Sequence, residues 1–373
     1  MPWHISERGG GAEVQANYLA QELSTNGFLV SYICQTEIIS KINTIENIGK
    51  IKVFWLKSSG RFKWLDQGKY YDCLKKNNPD YVLQRLSSNV SYVIGKYCRN
   101  NNKIFHWFCT DNHSVNKSLF VKNFIKKNSL KEHNFFKYFI FYVNAIIMDF
   151  FRNRGMKKIT NGWSQNSYQY EFLLKNFNLD TKRVLSGHPK PNIEHSPSEI
   201  LNFKTILWCA NFGKHKRPEK FIELANKMVD EDFKFVMVGS HSNQEYLKSL
   251  LKVIPNNLTI TGKVSFEKSL KMFESSSIFI NTSTNDGDGF PNTFIQAWNR
   301  GLPTLTLGFD PDNIIEKRQL GFNCLNIDEV AAKIKNLYKN ENDFIKISTL
   351  AKKYSIQNHS LTAMTDNFLK YLY

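Results

Sequence analysis

The residues best able to do chemistry lie between positions 283 and 303, in the run STNDGDGFPNTFIQAWNRGLP. The run leaves an apolar strand at Ser277–Asn281, passes a small polar loop and enters a helix near Pro291, before Gly301 leads into another strand. Ligands of open α/β sheets bind just beyond the carboxyl ends of the strands, which is where this loop falls. Gly289 lets backbone amides face a bound group, and Pro291 suits a first helical turn because its missing N–H would be unpaired there. A second stretch, ILWCANFGKHKRPEKFIELA, puts Asn211, Lys216 and Arg217 in a loop between a strand and a helix. A third, ERGGGAEVQANYLAQEL, sets Gly9, Gly10 and Gly11 directly before an amphipathic helix. That glycine turn reads either as a phosphate or sugar site at a helix start or as a tight turn that feeds the helix. It lacks the full G-x-G-x-x-G spacing.

Loops of this kind need strands and helices to hold them, and both halves of the chain alternate between the two. The pattern predicts α/β architecture with parallel sheets and helices on both faces. In the first half, strands are expected at Leu29–Cys34, Ile51–Leu56, Tyr81–Gln84, Ile104–Phe108, Lys157–Trp163 and Arg183–Ser186. In the second they are expected at Thr205–Ala210, Lys234–Val238, Leu258–Thr261, Ile278–Asn281 and Thr304–Leu307, with a helical pattern over 345–373. Pro189, Pro191 and Pro197 break both periodicities. The expected division is therefore a first lobe over 1–187, a linker over 188–203 and a second lobe over 204–373, whose last helix can return to the first lobe. A doubly wound lobe normally opens with a buried strand that delivers its first glycine turn, yet residues 1–8 do not read as one. Either the given start falls after that strand or the lobe is built without it.

At 373 residues the chain is long enough for two such lobes. Its 42% hydrophobic content, spread along the sequence, fits a globular protein. The six cysteines have neither C-x-x-C spacing nor a paired framework and read as reduced, mostly buried thiols. The N-terminus has no apolar run of signal-peptide length, and no stretch reaches the roughly 20 residues of a membrane span, so a cytoplasmic protein is expected. The formal charge of +17 would concentrate phosphates, anionic headgroups or nucleic acid. No helix-turn-helix, RNP or zinc pattern accompanies it, which sets nucleic acid aside. Lys117–Lys158 holds ten basic residues and ten Phe or Tyr against Glu132 and Asp149. Such a mixture suits an element lying at an anionic membrane surface, or a core-facing helix with a solvated basic side.

The motifs at 204–303 resemble the retaining glycosyltransferases of family 4, which have the GT-B fold: two facing Rossmann-like domains with a cleft between them. In that family two acids separated by seven residues surround the donor, and Asp288 and Gln296 stand at that spacing. The resemblance implies that Asp288 holds hydroxyls of the donor sugar and Gln296 meets the ribose, with backbone amides of Gly289, Phe290, Pro291's neighbour Asn292 and that turn as a whole lining the sugar and phosphate. Gln for Glu keeps two-sided hydrogen bonding and loses the charge. Lys216 and Arg217, with Asn211 where the family has an arginine, would neutralise the diphosphate as it departs. ERGGGAEVQ looks like the family's glycine loop, DYVLQRLSS like a strand and turn of its first lobe, and SGHPKPN like its passage into the linker. The family's sugar-facing histidine would be His106, with His113 second, and Asp111 could face the cleft.

The implied activity is retaining transfer of a sugar from a nucleotide-sugar donor to a growing glycan, a lipid-linked surface polysaccharide such as O-antigen, capsule or exopolysaccharide. The place of action would be the inner face of the cell membrane. The triplet Asp286-Gly287-Asp288 could instead carry a metal with the donor diphosphate. The Lys216 and Arg217 loop suggests that protein cations do that work, so no metal or other cofactor is expected. The altered acids and the absent first strand keep a second reading open, a catalytically silent homologue that binds glycan or a partner protein.

Overall fold

The computed structural model describes residues 3–7, 9–127, 134–240, 244–250, 254–285 and 287–372. Asp286, Glu132 and Arg8, which entered the sequence readings above, lie outside them. The chain divides into two units, Met1–Val184 with Asn367–Tyr373, and Leu185–Asp366.

Unit 1 contains helices α1 (Gly11–Thr25), α2 (Gln67–Asn77), α3 (Val90–Asn100), α4 (Leu119–Lys127), α5 (Phe135–Met156) and α6 (Ser167–Phe177). Its strands are β1 (Ser31–Thr36), β2 (Ile45–Ile48), β3 (Ile51–Lys57), β4 (Tyr81–Arg85), β5 (Ile104–Phe108), β6 (Asn161–Ser164) and β7 (Thr181–Arg183). They form two sheets, β1-β3-β2 and β4-β5-β6-β7. All pairs are parallel except β2 and β3, an antiparallel hairpin with Ile48 opposite Ile51. Strand β2 was not expected, because its residues, IENI, are mostly exposed and carry no apolar run. Strand β6 starts later than expected because Lys157 ends α5. Strand β7 (Thr181–Arg183) lies earlier than the expected Arg183–Ser186 and shares only Arg183 with it. Residues 3–7 form no strand.

The core of unit 1 is aromatic. Trp107, Phe105 and Leu173 are fully enclosed, and Phe108 stacks on Trp163 at 5.6 Å with Phe368 of the returning segment 5.3 Å from the same indole. Helices α3 and α5 cross at Gly155, where an added Cβ would stand 2.4 Å from the carbonyl carbon of Ser91 and the amide nitrogen of Tyr92.

Unit 2 contains α7 (Pro197–Asn202), α8 (Pro218–Lys227), α9 (Gln244–Leu250), α10 (Phe266–Glu274), α11 (Asn292–Trp298), α12 (Ile314–Lys317), α13 (Ile327–Lys339), α14 (Glu341–His359) and the start of α15 (Leu361–Leu369). One all-parallel sheet runs through it, built from β8 (Thr205–Cys209), β9 (Lys234–Val238), β10 (Leu258–Gly262), β11 (Ile278–Asn281), β12 (Thr304–Leu307) and β13 (Gly321–Cys324). Its order, β10-β9-β8-β11-β12-β13, is the doubly wound order. The chain leaves β8 toward one side of the sheet and returns to β11 on the other. The loops after these neighbouring strands therefore diverge, leaving a crevice at their carboxyl ends. Central strands are buried on both faces, as β11 is along its whole length, which is why they read as plain apolar runs.

Substituting Gly155 by Ala should cost about 1–3 kcal/mol, since the opposing atoms are backbone and cannot swing aside. Urea unfolding of the variant checks this; a midpoint equal to the parent's would contradict the packing described at the helix crossing.

Candidate functional site

Two loops meet at the switch point of unit 2. The first follows β8. Ala210 N–H donates to Val238 O at 3.1 Å and Phe212 N–H to Ser240 O at 3.0 Å, which holds the loop against the end of β9. That approach demands glycine at 239, with φ +138°, because a Cβ there would lie 1.8 Å from Ala210 O. After the exposed Asn211 a 3₁₀ turn, Lys214–Lys216, leads to Arg217 at φ 48° and then to Pro218, the first residue of α8.

Arg217 is where sequence reasoning and structure part. Its Nε donates to Thr282 O at 2.5 Å, one Nη donates to Ser283 O at 3.1 Å, and the same nitrogen reaches Leu307 O. The guanidinium is thus committed to carbonyls at the ends of β11 and β12, and these bonds offset its left-handed backbone. It fastens the loops together and is not available as the leaving-group cation expected of it. Thr282 adds a second tie, donating to Lys216 O at 2.5 Å while accepting from Trp208 Nε1 at 2.9 Å.

With Arg217 so used, Lys216 is the cation that faces the second loop. Its Nζ forms an ion pair with Asp288 Oδ2, both side chains being largely buried at 16% and 23% exposure. Residues separated by 72 positions are brought into contact by the ends of adjacent strands. Between them, Gly287 passes the ring of His215, which a Cβ would meet at 3.0 Å.

Beyond Asp288, Gly289 is buried and Phe290 stacks on His359 at 5.1 Å. Pro291 is the N-cap of α11, one position earlier than expected, so that Asn292 opens the helix. Gln296 lies in α11 at 5% exposure. Among the described residues no cluster of three His, Cys, Asp or Glu could hold a metal. The six thiols are free, and all but Cys209 are buried.

In unit 1, Gly10 is the N-cap of α1 and Gly11 its first residue, with Gly9 in the loop before it. His106 sits in the middle of β5, fully buried. It accepts from Trp163 Nε1 at 3.2 Å and packs edge-on against Phe368 at 5.3 Å. Burial, and secondarily Lys182, push its pKa down to about 4. It is a core residue and not the sugar-facing histidine expected from the sequence. His113 stands beyond the end of β5, half-buried in the turn Asn112–Val115. Asp111 caps that turn by accepting from Ser114 N and Oγ, each at 2.9 Å.

Arg152, which sequence reasoning missed, pins both neighbouring loops. It donates to Ser87 Oγ at 2.5 Å after β4, and to Asn116 O at 2.7 Å and Ser114 O after β5. Nothing in the local sequence marks it, since its partners are 36 to 65 positions away.

Residues 203–340 match the family model of the glycosyl transferases group 1, so unit 2 carries a domain of that kind. No curated protein matches the sequence. Among solved structures, HepE of Anabaena in complex with UDP aligns at a TM-score of 0.67 and 13% identity, over 98% of this chain and 96% of its own. Sucrose-phosphate synthase from Thermosynechococcus elongatus aligns at 0.68 and 11%, over 97% and 92%. A mutant TarM of S. aureus, in complex with Fondaparinux, alpha-GlcNAc-glycerol and UDP, aligns at 0.58 and 17%, over 82% and 58%. The likeness to these structures shows the GT-B fold, and residues 203–340 carry a domain of the glycosyl transferases group 1.

Burial also drives the pKa of His188 down, to about 3. Below their ordinary value of 6.5, both histidines take up protons in the unfolded chain and not in the folded one. Stability should therefore fall as pH drops from about 6.5 toward 4, by about 1.4 kcal/mol per pH unit for each histidine. Urea midpoints at pH 7, 6 and 5 for the parent and His106→Phe test this; the variant should show the shallower slope, and equal slopes would contradict a neutral buried His106.

Proposed function

We propose that the chain is a retaining glycosyltransferase that takes a sugar from a nucleoside-diphosphate donor, with UDP the first candidate, and adds it to a growing glycan. The pairing of Lys216 with Asp288 at the switch point carries this reading. In the free chain the two charges neutralise each other. A donor diphosphate can take over Lys216, and the carboxylate then becomes free to accept hydrogen bonds from hydroxyls of the sugar. One anion replaces another on the same cation, and the carboxylate so released is stabilised by the hydroxyls that donate to it. As the glycosidic bond to the donor phosphate breaks, negative charge grows on the leaving oxygen, where a preorganised ammonium is most effective. Backbone amides from Gly289 to Asn292 would line the phosphate and sugar, and Gln296 the ribose, with Asn211 at the rim. A metal is not required for this role. UDP as the nucleotide is supported by the complexes solved for HepE and TarM.

The acceptor we infer is a lipid-linked surface polysaccharide. The outer face of α5 supports it: Phe135, Phe136, Phe139, Ile146 and Phe150 are exposed, Phe135 by 75%, with Ile125 of α4 beside them in sequence order. Exposed Lys122, Lys126, Lys137, Arg154 and Lys157 accompany them. No helix among the described residues is long and apolar enough to cross a membrane. Such a stripe with flanking cations suits attachment in the headgroup layer. The other half of α5 is anchored, since Asp149 accepts from the amides of Phe120 and Val121, each at 3.0 Å.

Lys216→Ala should bind UDP more weakly and lower turnover by roughly a hundredfold while leaving the unfolding midpoint nearly unchanged; activity within a few-fold of the parent would remove Lys216 from the site. Phe136→Asp with Phe139→Asp should abolish sedimentation with vesicles containing phosphatidylglycerol. Equal sedimentation of the parent with neutral and anionic vesicles would defeat the electrostatic part of the membrane reading.

A further inference from the structure

Among the described residues two arginines of unit 1 are buried, and the chain treats them differently. Arg152 donates to Ser87 Oγ, Asn116 O, Asn153 Oδ1 and Ser114 O. Arg85, the last residue of β4, is 5% exposed. Its Nε is enclosed without a partner, and the guanidinium makes no hydrogen bond or ion pair among the described residues. Its neighbours include the ring of Phe108, with its centroid 5.3 Å away, the phenol of Tyr32 and the carboxyl of Glu13, to neither of which it is hydrogen-bonded. The hydroxyl of Tyr32 is likewise buried without a partner. Two buried donors therefore lie near one another with no acceptor bonded to either among the described residues, an arrangement that costs stability unless a bound group completes it.

The place in the fold suits a ligand. Arg85 is at the carboxyl end of a parallel strand. Glu13, whose charge it senses, lies in the first turn of α1, two residues after Gly11. The loop that follows Arg85 is held in shape: Leu86 takes φ +72°, a conformation that costs a non-glycine residue about 1–3 kcal/mol, and Ser87 is fastened by Arg152. The backbone that directly follows Arg85 is thus fixed in place. Burial also lowers its pKa to about 10, a shift that a bound anion would reverse.

We propose that Arg85 and Tyr32 form an anion site in unit 1 that holds a phosphate or carboxylate of the acceptor. The proposal rests on the transferase reading for the word acceptor, and on the geometry alone for the anion. A lipid-linked acceptor offers phosphate next to the lipid, and an acidic sugar offers carboxylate. The guanidinium fork matches either bidentately, and the phenol adds a third donor.

The test is calorimetric titration of inorganic phosphate, and separately of acetate, at ionic strength held constant with chloride and with UDP saturating. The parent should bind one anion beyond UDP. Arg85→Gln should weaken it roughly 10- to 100-fold, the range of a lost charge-assisted hydrogen bond, and Tyr32→Phe less, with UDP affinity equal in all three. Preference for phosphate assigns the lipid linkage as the source, and preference for acetate an acidic sugar. No anion binding by the parent, or equal binding by Arg85→Gln, overturns the site. Should Arg85→Gln not fold, thermal melting decides: phosphate must raise the midpoint of the parent above chloride at matched ionic strength, and raise that of Tyr32→Phe less. Failure of UDP to bind would instead strike the transferase reading, and the same anion titration without UDP would still judge Arg85.

Discussion

The ion pair of Lys216 and Asp288 exists because two adjacent parallel strands, β8 and β11, send their chains in opposite directions. At such a point the two loops touch over a short stretch only: Thr284 N–H donates to His215 O at 2.8 Å, and side chains make the remaining ties. A lysine and an aspartate from the two loops bridge the opening. An ion pair in partly desolvated surroundings is held mainly by the absence of better partners, and it yields to a ligand that offers the same charges in a better geometry. What keeps the opening from collapsing is the arginine one residue further on. Arg217 spends its fork on three carbonyls at the ends of β11 and β12, and so fixes the distance across which Lys216 must reach.

The same device recurs in unit 1 with Arg152. Carbonyls just past the end of a parallel strand have left the sheet's hydrogen-bond ladder and need donors from elsewhere. A planar guanidinium with five N–H groups can serve several at once. Each unit has an arginine spent in this way, and in each the loops so held carry residues with chemical potential: Lys216 and Asp288 in one, His113 and Asp111 in the other. Arg85 is the exception that the pattern exposes, a buried guanidinium to which the chain offers no carbonyls.

Much of unit 2 was legible because its central strands are buried on both faces and show as apolar runs closed by polar loops. Strands β9, β11 and β12 fall within the expected bounds for that reason. Strand β13, GFNC, has no such run and was missed, as was the exposed hairpin strand β2. The Lys216 and Asp288 loops could be read from residue types and spacing. Two roles could not. His106 is turned into the core by the alternation along β5, and its neighbour Phe368 comes from the far end of the chain. Arg217 looks like a free cation until its left-handed backbone aims it at carbonyls 65 to 90 positions away. In both cases long-range packing decides the role of a residue whose type alone suggests catalysis.

The excess of positive charge takes on meaning once these inward-facing cations are set apart. Arg217, Arg152 and Arg85 are committed to the interior or to a site and add little to the field at the surface. The lysines and arginines that accompany the stripe on α5 are exposed, as are most of the remainder. A chain carrying +17 in this distribution raises the local concentration of phosphates around it, which would help a diphosphate donor and an anionic membrane alike. Under the proposed function, affinity for the donor would rest on the ammonium of Lys216. Surface charge would then set how often a diphosphate arrives, and exchange at Asp288 whether it stays.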